Sequence, residues 1–397
     1  MLSLDMVYRA SFVLKDIVRQ TNIIHAPELS ETSRIYLKPE NLQVTGSFKV
    51  RGSAFKISQL TQEEKEHGVI ACSAGNHAQG VALAATRCGI HSVICLPDGA
   101  PISKVEATKK YGAEVCMVPG VYDDAYQEAL RQRDELGYTF IHPFDDEFVI
   151  AGQGTIGLEI LEQFPEVQAV VVPVGGGGLI SGVAYTIKSL RPEVKVFGVQ
   201  AAGAPSMVQS LACDKIECLS TVRTIADGIA VKEPGEHTFE YCKKYVDEIV
   251  TVTDDEVSAA ILAMLEQQKL ISEGAGAVSV AAAMFGKLPI EGLNTVCIVS
   301  GGNIDVTILS RVINRGLQRS GRMCKLTIEL MDKPGQLKDV SAIIAQHGGN
   351  VISVLHEHGG DGSGINDCVL RIEMETKNYE HIEQIRRALI DAGFKLV

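Results

Sequence analysis

The stretch VVVPVGGGGLISGVAYTIKSL, residues 170–190, decides the fold class. It runs from a continuous apolar segment through Gly175, Gly176, Gly177 and Gly178 into a pattern with helical spacing. An unbroken apolar run ending in glycines reads as a strand buried on both faces, the type found in parallel sheets. Four successive residues without a Cβ let backbone N–H groups converge on a phosphate, and the helix N-terminus that follows adds favourable partial charge. A plain turn would need only one or two glycines. The loop lacks the lysine of a Walker A sequence, which argues against a nucleoside triphosphate.

Outward from this stretch the same alternation of apolar runs and helical segments recurs. VIACSAG (69–75), SVICLP (92–97), EVCMVPG (114–120) and YTFIHP (138–143) precede it; VKVFGVQ (194–200), EIVTVTD (248–254) and NTVCIVSGGN (294–303) follow. Continuous strands alternating with helices predict an α/β fold with parallel-strand sheets covered on both faces. In such folds ligands bind beyond the carboxyl ends of the strands. Three of those ends carry SAGNH, GGGGL and SGGN.

After SRVINRGLQRSGRM (310–323) the pattern changes to strand, helix, two strands, helix and a final short strand. That is a small βαββαβ domain with its own core, spanning 323–397 after a first domain of 1–322. Residues 311–322, rich in arginine and glycine, read as an exposed linker.

The totals exclude several function classes. The chain has 397 residues, 46% hydrophobic and 22% charged, with a net charge of −12 and a pI near 5.4. Two or three domains fit that length. An acidic chain with no block of lysine and arginine points away from nucleic acid and anionic membrane as partners. The ten cysteines include no C-x-x-C pair, which suits a reduced, cytoplasmic protein better than a disulfide framework. The N-terminal stretch mixes Asp5, Arg9, Lys15 and Asp16 into its apolar positions, as an amphipathic helix does and a signal peptide does not. No apolar run approaches the roughly 20 residues of a membrane span.

Candidate chemistry gathers at a few places. TGSFKVRG (45–52) sets Lys49 behind Phe48 and between glycines; a reactive lysine must be held still and kept partly dry, because its ammonium is no nucleophile. SAGNHAQG (73–80) offers Ser73, the N–H groups around Ala74 and Gly75, Asn76 and His77 at one strand-to-helix turn, a set suited to a carboxylate or phenolic oxygen. A simple N-cap is the competing reading there, and His77 reads as a packed histidine. Glu273 in EGAGA (273–277) is either a dipole-favoured carboxylate at a helix start or a site group. Ser300 in VSGGN (299–303) puts a hydroxyl at the sheet's carboxyl edge.

Two motifs compete with these. Gly152, Gly154 and Gly157 satisfy G-x-G-x-x-G, but HPFDDEFVIA before them is a poor strand and no acid follows at the spacing a dinucleotide site needs. Close helix packing is the expectation, and an oxidoreductase is discounted. HEH (356–358) places His356 and His358 on one face of a strand. With no third and fourth ligand at suitable sequence spacing, no metal is expected.

SFKVRG, SAGNHAQG, GGGGL, EGAGA and SGGN, in this order, closely resemble the threonine dehydratases (threonine ammonia-lyases), pyridoxal 5'-phosphate enzymes of fold type II. The likeness covers about residues 5–320. It implies a two-lobed, tryptophan synthase β-like unit, with a small lobe of about 50–150 inserted in the large one. The tail, with DKPGQL (332–337), resembles an ACT domain, and a single such unit matches the medium-length form of the family.

Carried over by motif, Lys49 would bond reversibly to the cofactor aldehyde and Phe48 would pack against its ring. Gly175 to Gly178 would cradle the phosphate, Asn76 would bond the phenolic oxygen, and Ser300 would face the pyridine nitrogen. The turn from Ser73 through Ala74 and Gly75 to His77 would hold the substrate carboxylate. The implied reaction removes the α-proton with Lys49 and eliminates the β-hydroxyl, turning L-threonine into 2-oxobutanoate and ammonia and L-serine into pyruvate. One methyl is worth only about 1–3 kcal/mol of discrimination, so some serine activity is expected.

The resemblance also implies a homodimer or homotetramer and an apolar amino-acid effector, such as isoleucine, near Gly335 and Asn350. Isoleucine biosynthesis and threonine catabolism remain alternative settings. Serine racemase or serine dehydratase on the same fold is the nearest rival. Racemases of this kind have a serine immediately before GNH, where Ala74 stands here, and Gln200 replaces the glutamate of members with a divalent-cation site. An amino-acid sensor with an inactive large domain is a further rival, against which the intact Lys49 counts.

Overall fold

The structure is a computed structural model and describes residues 1–358 and 367–397. The chain divides into two compact units, Met1–Asp305 and Val306–Val397. The first contains β1 (Ile24–His25), β2 (Arg34–Pro39), β3 (Val69–Cys72), β4 (Ser92–Pro97), β5 (Glu114–Val118), β6 (Thr139–Phe140), β7 (Ala169–Pro173), β8 (Lys195–Ala201), β9 (Glu248–Val252) and β10 (Asn294–Val299). They form a six-stranded sheet, β1-β2-β10-β7-β8-β9, and a four-stranded sheet, β5-β4-β3-β6. Every pairing is parallel except β1 with β2.

The sequence pattern marks eight of these strands and misses β1 and β2. The reason for β2 is Lys38, a fully buried cation inside a strand, which breaks the apolar run. All residues of β3 and β7 are buried, as double-sided burial requires.

Lys38 belongs to a buried charge network that fixes the helix Lys49–Ser58. The Arg51 guanidinium donates to both oxygens of Glu40 (2.8 Å each) and of Glu159 (2.6 and 3.0 Å), while Lys38 donates to Glu159 at 2.6 Å. Bidentate pairing on two sides ties this helix to the end of β2 and to the helix Glu147–Gln163. Burial pulls the Lys38 pKa down, while its charged partners carry Glu40 below the usual carboxylate range against its own desolvation.

Gly152, Gly154 and Gly157 lie inside the helix Glu147–Gln163, away from any strand-to-helix turn. A Cβ on Gly152 would come within 2.7 Å of the Arg51 carbonyl, and one on Gly154 within 2.8 Å of Thr186 Oγ1. Close helix packing accounts for all three.

The second unit contains β11 (Met323–Met331), β12 (Asn350–His358), β13 (Asp367–Glu375) and β14 (Lys395–Leu396) in the order β12-β13-β11-β14, all antiparallel. The helices Gln336–Gln346 and Tyr379–Asp391 supply Val340, Ile344, Ile385 and Leu389 to a core shared with Leu326, Ile328, Leu370 and Ile372. Residues 311–319 differ from the expected linker: they belong to the helix Val306–Arg319. Leu309, Val312, Ile313 and Leu317 have helical spacing, which the arginines obscure. The helix end is held within its own unit by Tyr379 Oη donating to the Arg319 carbonyl and Thr376 Oγ1 to that of Gly321. The side chain of His358 lies outside the described residues, so its shared face with His356 is not addressed. Among the described residues, no helix is long and apolar enough to cross a membrane.

Candidate active site

β2, β10 and β7 are adjacent and parallel, with Val299 opposite Pro39 and Cys297 opposite Val171. Their carboxyl ends therefore deliver three segments side by side: the approach to Lys49, the Ser300–Asn303 turn and the glycine loop. Thr45 and Gly46 adopt left-handed φ angles of 69° and 72°. That reversal lets Ser47 pair with Gly301, with Phe48 N–H donating to the Ser300 carbonyl (3.1 Å) and Gly302 N–H to that of Gly46 (2.9 Å).

Lys49 is the first residue of its helix and is half-buried. Its Nζ donates to the Pro143 carbonyl at 2.7 Å and lies 5.4 Å from the centre of the Phe48 ring. Burial lowers its pKa to about 8, against the attraction of Glu273. A lysine so placed carries an appreciable free-amine fraction near neutral pH.

The glycine loop lies against the segment that holds Lys49. A Cβ on Gly176 would sit 2.5 Å from Phe144 ring carbons, and one on Gly178 would sit 2.8 Å from the Phe144 carbonyl. Gly177 has a φ of +98°, and Thr238 closes its other side. The helix Gly178–Leu190 begins there, so its first N–H groups have no intrahelical acceptor. Bare backbone, packed too closely at Gly176, Gly177 and Gly178 to admit a Cβ, and a helix N-terminus fit a phosphate.

The Ser73–His77 turn is accessible: a Cβ on Gly75 would meet nothing within 4 Å, and Ser73 and Ala74 are half-buried. Ser73 Oγ accepts from Gly75 N–H (3.1 Å), so part of the donor set is used inside the turn. His77 is buried, its Nε2 bonded to the Ile141 carbonyl at 2.8 Å. Burial, aided by Lys49, lowers its pKa to about 3, so the ring is neutral and packed.

Asn76 opens the helix Asn76–Arg87 and links three motifs. Its Nδ2 donates to Glu273 Oε1 at 2.6 Å, and its Oδ1 accepts from Asn303 Nδ2 at 2.7 Å. Asn303 Nδ2 also donates to the Thr45 carbonyl at 2.7 Å. Glu273 is at a helix start, but its carboxylate caps no N–H of that helix. Burial and then Asp227 raise its pKa to about 7, despite the bond from Asn76. Ser300 is buried, and its Oγ donates to the Ala275 carbonyl at 3.3 Å.

Contacts among Lys49, Phe48, Ser300, Asn76, Glu273 and the glycine loop or the segments beside them bring these residues together, while His77 bonds to the Ile141 carbonyl. Sequence reasoning missed Pro143, Phe144 and Asn303. Asn303 stood in the SGGN motif; Pro143 acts through a carbonyl that any residue would supply.

Residues 14–301 match the pyridoxal-phosphate dependent enzyme family, and residues 325–391 match the ACT domain. The chain is 50% identical to the L-threonine ammonia-lyase of Thermotoga maritima over all of this chain and 99% of that protein. Threonine deaminase isoform 2 of Solanum lycopersicum, in its processed form, is a solved structure similar at a TM-score of 0.74 and 39% identity, over 79% of this chain and 88% of that one. Maize serine racemase is similar at a TM-score of 0.75 and 34% identity, over 80% and 98% respectively. The chain therefore belongs to the fold-type II pyridoxal-phosphate-dependent enzymes and carries a C-terminal ACT domain.

Proposed function

We propose that the protein is a threonine ammonia-lyase that converts L-threonine to 2-oxobutanoate and ammonia, and L-serine to pyruvate. The observation that carries the reading is a half-buried lysine of lowered pKa between a bare-backbone glycine loop and the Ser300 strand end. Lys49, Gly175 to Gly178, Asn76 and Ser300 would hold pyridoxal 5'-phosphate, which when bound supplies an electron sink for the substrate's α-carbon. Phe48 would shield one side of it.

The proposed part of the chain's own residues in catalysis is as follows. The N–H groups and Ser73 hydroxyl of the 73–77 turn orient the substrate carboxylate. Lys49 Nζ, in its amine form, takes the α-proton as general base. The β-hydroxyl departs as water, taking up a proton that balances the one Lys49 removed from the α-carbon, and hydrolysis of the enamine product releases the 2-oxo acid and ammonia. Ser300 would be a neutral partner for the ring nitrogen, since its hydroxyl carries no charge to hold a proton there.

Similarity to maize serine racemase raises the alternative of racemisation. That reaction needs an acid/base on the face opposite Lys49, and Ala74 brings none to the turn before Gly75. We also assign the ACT unit an amino-acid effector and a role in assembling a homodimer or homotetramer. A reduced, cytoplasmic setting agrees with ten cysteines that include no C-x-x-C pair.

The test is borohydride reduction and peptide mapping of active protein, together with a keto-acid assay on L-threonine, L-serine and D-serine. Cofactor on Lys49, loss of activity in Lys49→Ala and preference for L-threonine are expected. Unmodified Lys49 in active material would overturn the reading.

A further inference from the structure

The motif HEH lacked further ligands along the sequence, but the fold of the second unit supplies them. β13 lies between β11 and β12, with Cys368 opposite Leu330 on one side and Leu370 opposite His356 on the other. Asp332 directly follows β11. Three adjacent strands therefore bring a carboxylate, an imidazole and a thiol together, and their ligand atoms all lie within 4.8 Å of one another. All three residues also line one cleft of about 350 Å³, with Lys333, Pro334 and Gly335 of the neighbouring turn.

We propose that Asp332, His356 and Cys368 form a zinc site in the ACT unit. Zinc takes thiolate, imidazole and carboxylate ligands at about 2.0–2.3 Å in tetrahedral array, which sets ligand atoms roughly 3.3–3.8 Å apart. From a separation of up to 4.8 Å, the three atoms need to close by about 1.5 Å at most on that basis. Asp332 and His356 are exposed, while buried Cys368 gives the fixed corner. Three protein ligands leave a fourth position on the cleft side for water or a small donor ligand. Binding releases the Cys368 thiol proton to solvent, because the thiolate is the ligand form. A thiolate–imidazole pair disfavours magnesium and calcium, which prefer all-oxygen shells. The site is distinct from the catalytic cleft, and the proposal does not depend on the reaction assigned there.

The experiment uses full-length protein freed of metal with a chelator, then titrated with Zn²⁺ by calorimetry and assayed for retained metal after desalting. One tightly held zinc per chain is expected, with no comparable Mg²⁺ binding. His356→Ala and Asp332→Asn alter exposed side chains, and each should weaken Zn²⁺ binding about tenfold or more. Cobalt should give a thiolate charge-transfer band in difference spectra, absent in Cys368→Ala; circular dichroism verifies that each variant is folded. Zinc held equally well by His356→Ala and Asp332→Asn would assign it to exposed thiols such as Cys88, Cys213 or Cys218 and overturn the proposal.

Discussion

The pKa of Lys49 gives the sharpest test of the site. Its ordinary value of 10.5 falls to about 8 through burial. At pH 7 about 9% of the side chain is then free amine, against about 0.03% for an ordinary lysine, a gain of roughly 300-fold. Only the free base attacks an aldehyde, so the rate of capture should rise with pH up to the pKa and level off above it. The measurement is the second-order rate at which cofactor-free protein captures pyridoxal phosphate between pH 6 and 10, divided by the rate for N-acetyl-lysine to cancel the cofactor's own titration. Wild type should show a large excess near neutrality that shrinks above pH 8. Glu273 attracts the ammonium form, so Glu273→Gln should move the inflection below 8 and increase the reactive fraction at pH 7. An inflection near 10, or an upward shift in Glu273→Gln, would refute the reasoning.

Three further outcomes follow from geometry. Gly176→Ala drives a Cβ to 2.5 Å from the Phe144 ring; about 1–3 kcal/mol of overpacking should weaken cofactor retention roughly five- to 150-fold, read by equilibrium dialysis. Arg51→Ala leaves Glu40 without its bidentate partner in a buried site and should cost about 3–5 kcal/mol in urea unfolding. Arg51→Lys should recover little of that, since an ammonium cannot fork to two carboxylates at once, and a loss below about 1 kcal/mol in the alanine variant would contradict the account. Lys104 on the small-lobe helix Ile102–Lys110 pairs with exposed Asp227 at 2.6 Å, bridging to the segment beside Glu273. Lys104→Ala should raise KM with little change in kcat, and its stability cost should stay under about 1 kcal/mol.

What the sequence reveals depends on how local each requirement is. Four successive glycines after an apolar run announce a phosphate loop because the need for bare backbone lies in consecutive residues. Lys49 and Ser300 stand out for the same reason, each in a short motif at a strand end. Glu273 is ambiguous, since a helix start is all that EGAGA displays; its raised pKa comes from burial and from Asp227, distant in sequence. The Lys38–Glu40–Arg51–Glu159 network is equally hidden, because isolated charges read as surface until β2 and two helices enclose them. The trio in the second unit shows the same blindness in another form: side chains from two strands and from the end of a third have no spacing to recognise.

These facts bear on how a lysine can be held still yet remain free to react. A side chain fixed by its own contacts would have to break them at every turnover. Here the constraint acts on the backbone. Gly46, Ser47 and Phe48 pair with residues 300–302, and Asn303 ties the Thr45 carbonyl to Asn76. A Cβ on Gly46 would come within 2.5 Å of Asn303 Oδ1, so the glycine serves both the left-handed turn and that clamp. On the other side, Arg51 and the bond from Gly52 N–H to Gln153 anchor the first helical turn. Between the two anchors Nζ donates to a backbone carbonyl, that of Pro143, which is a weak neutral partner compared with a carboxylate. The arrangement fixes where the amine starts and leaves little to break when it moves.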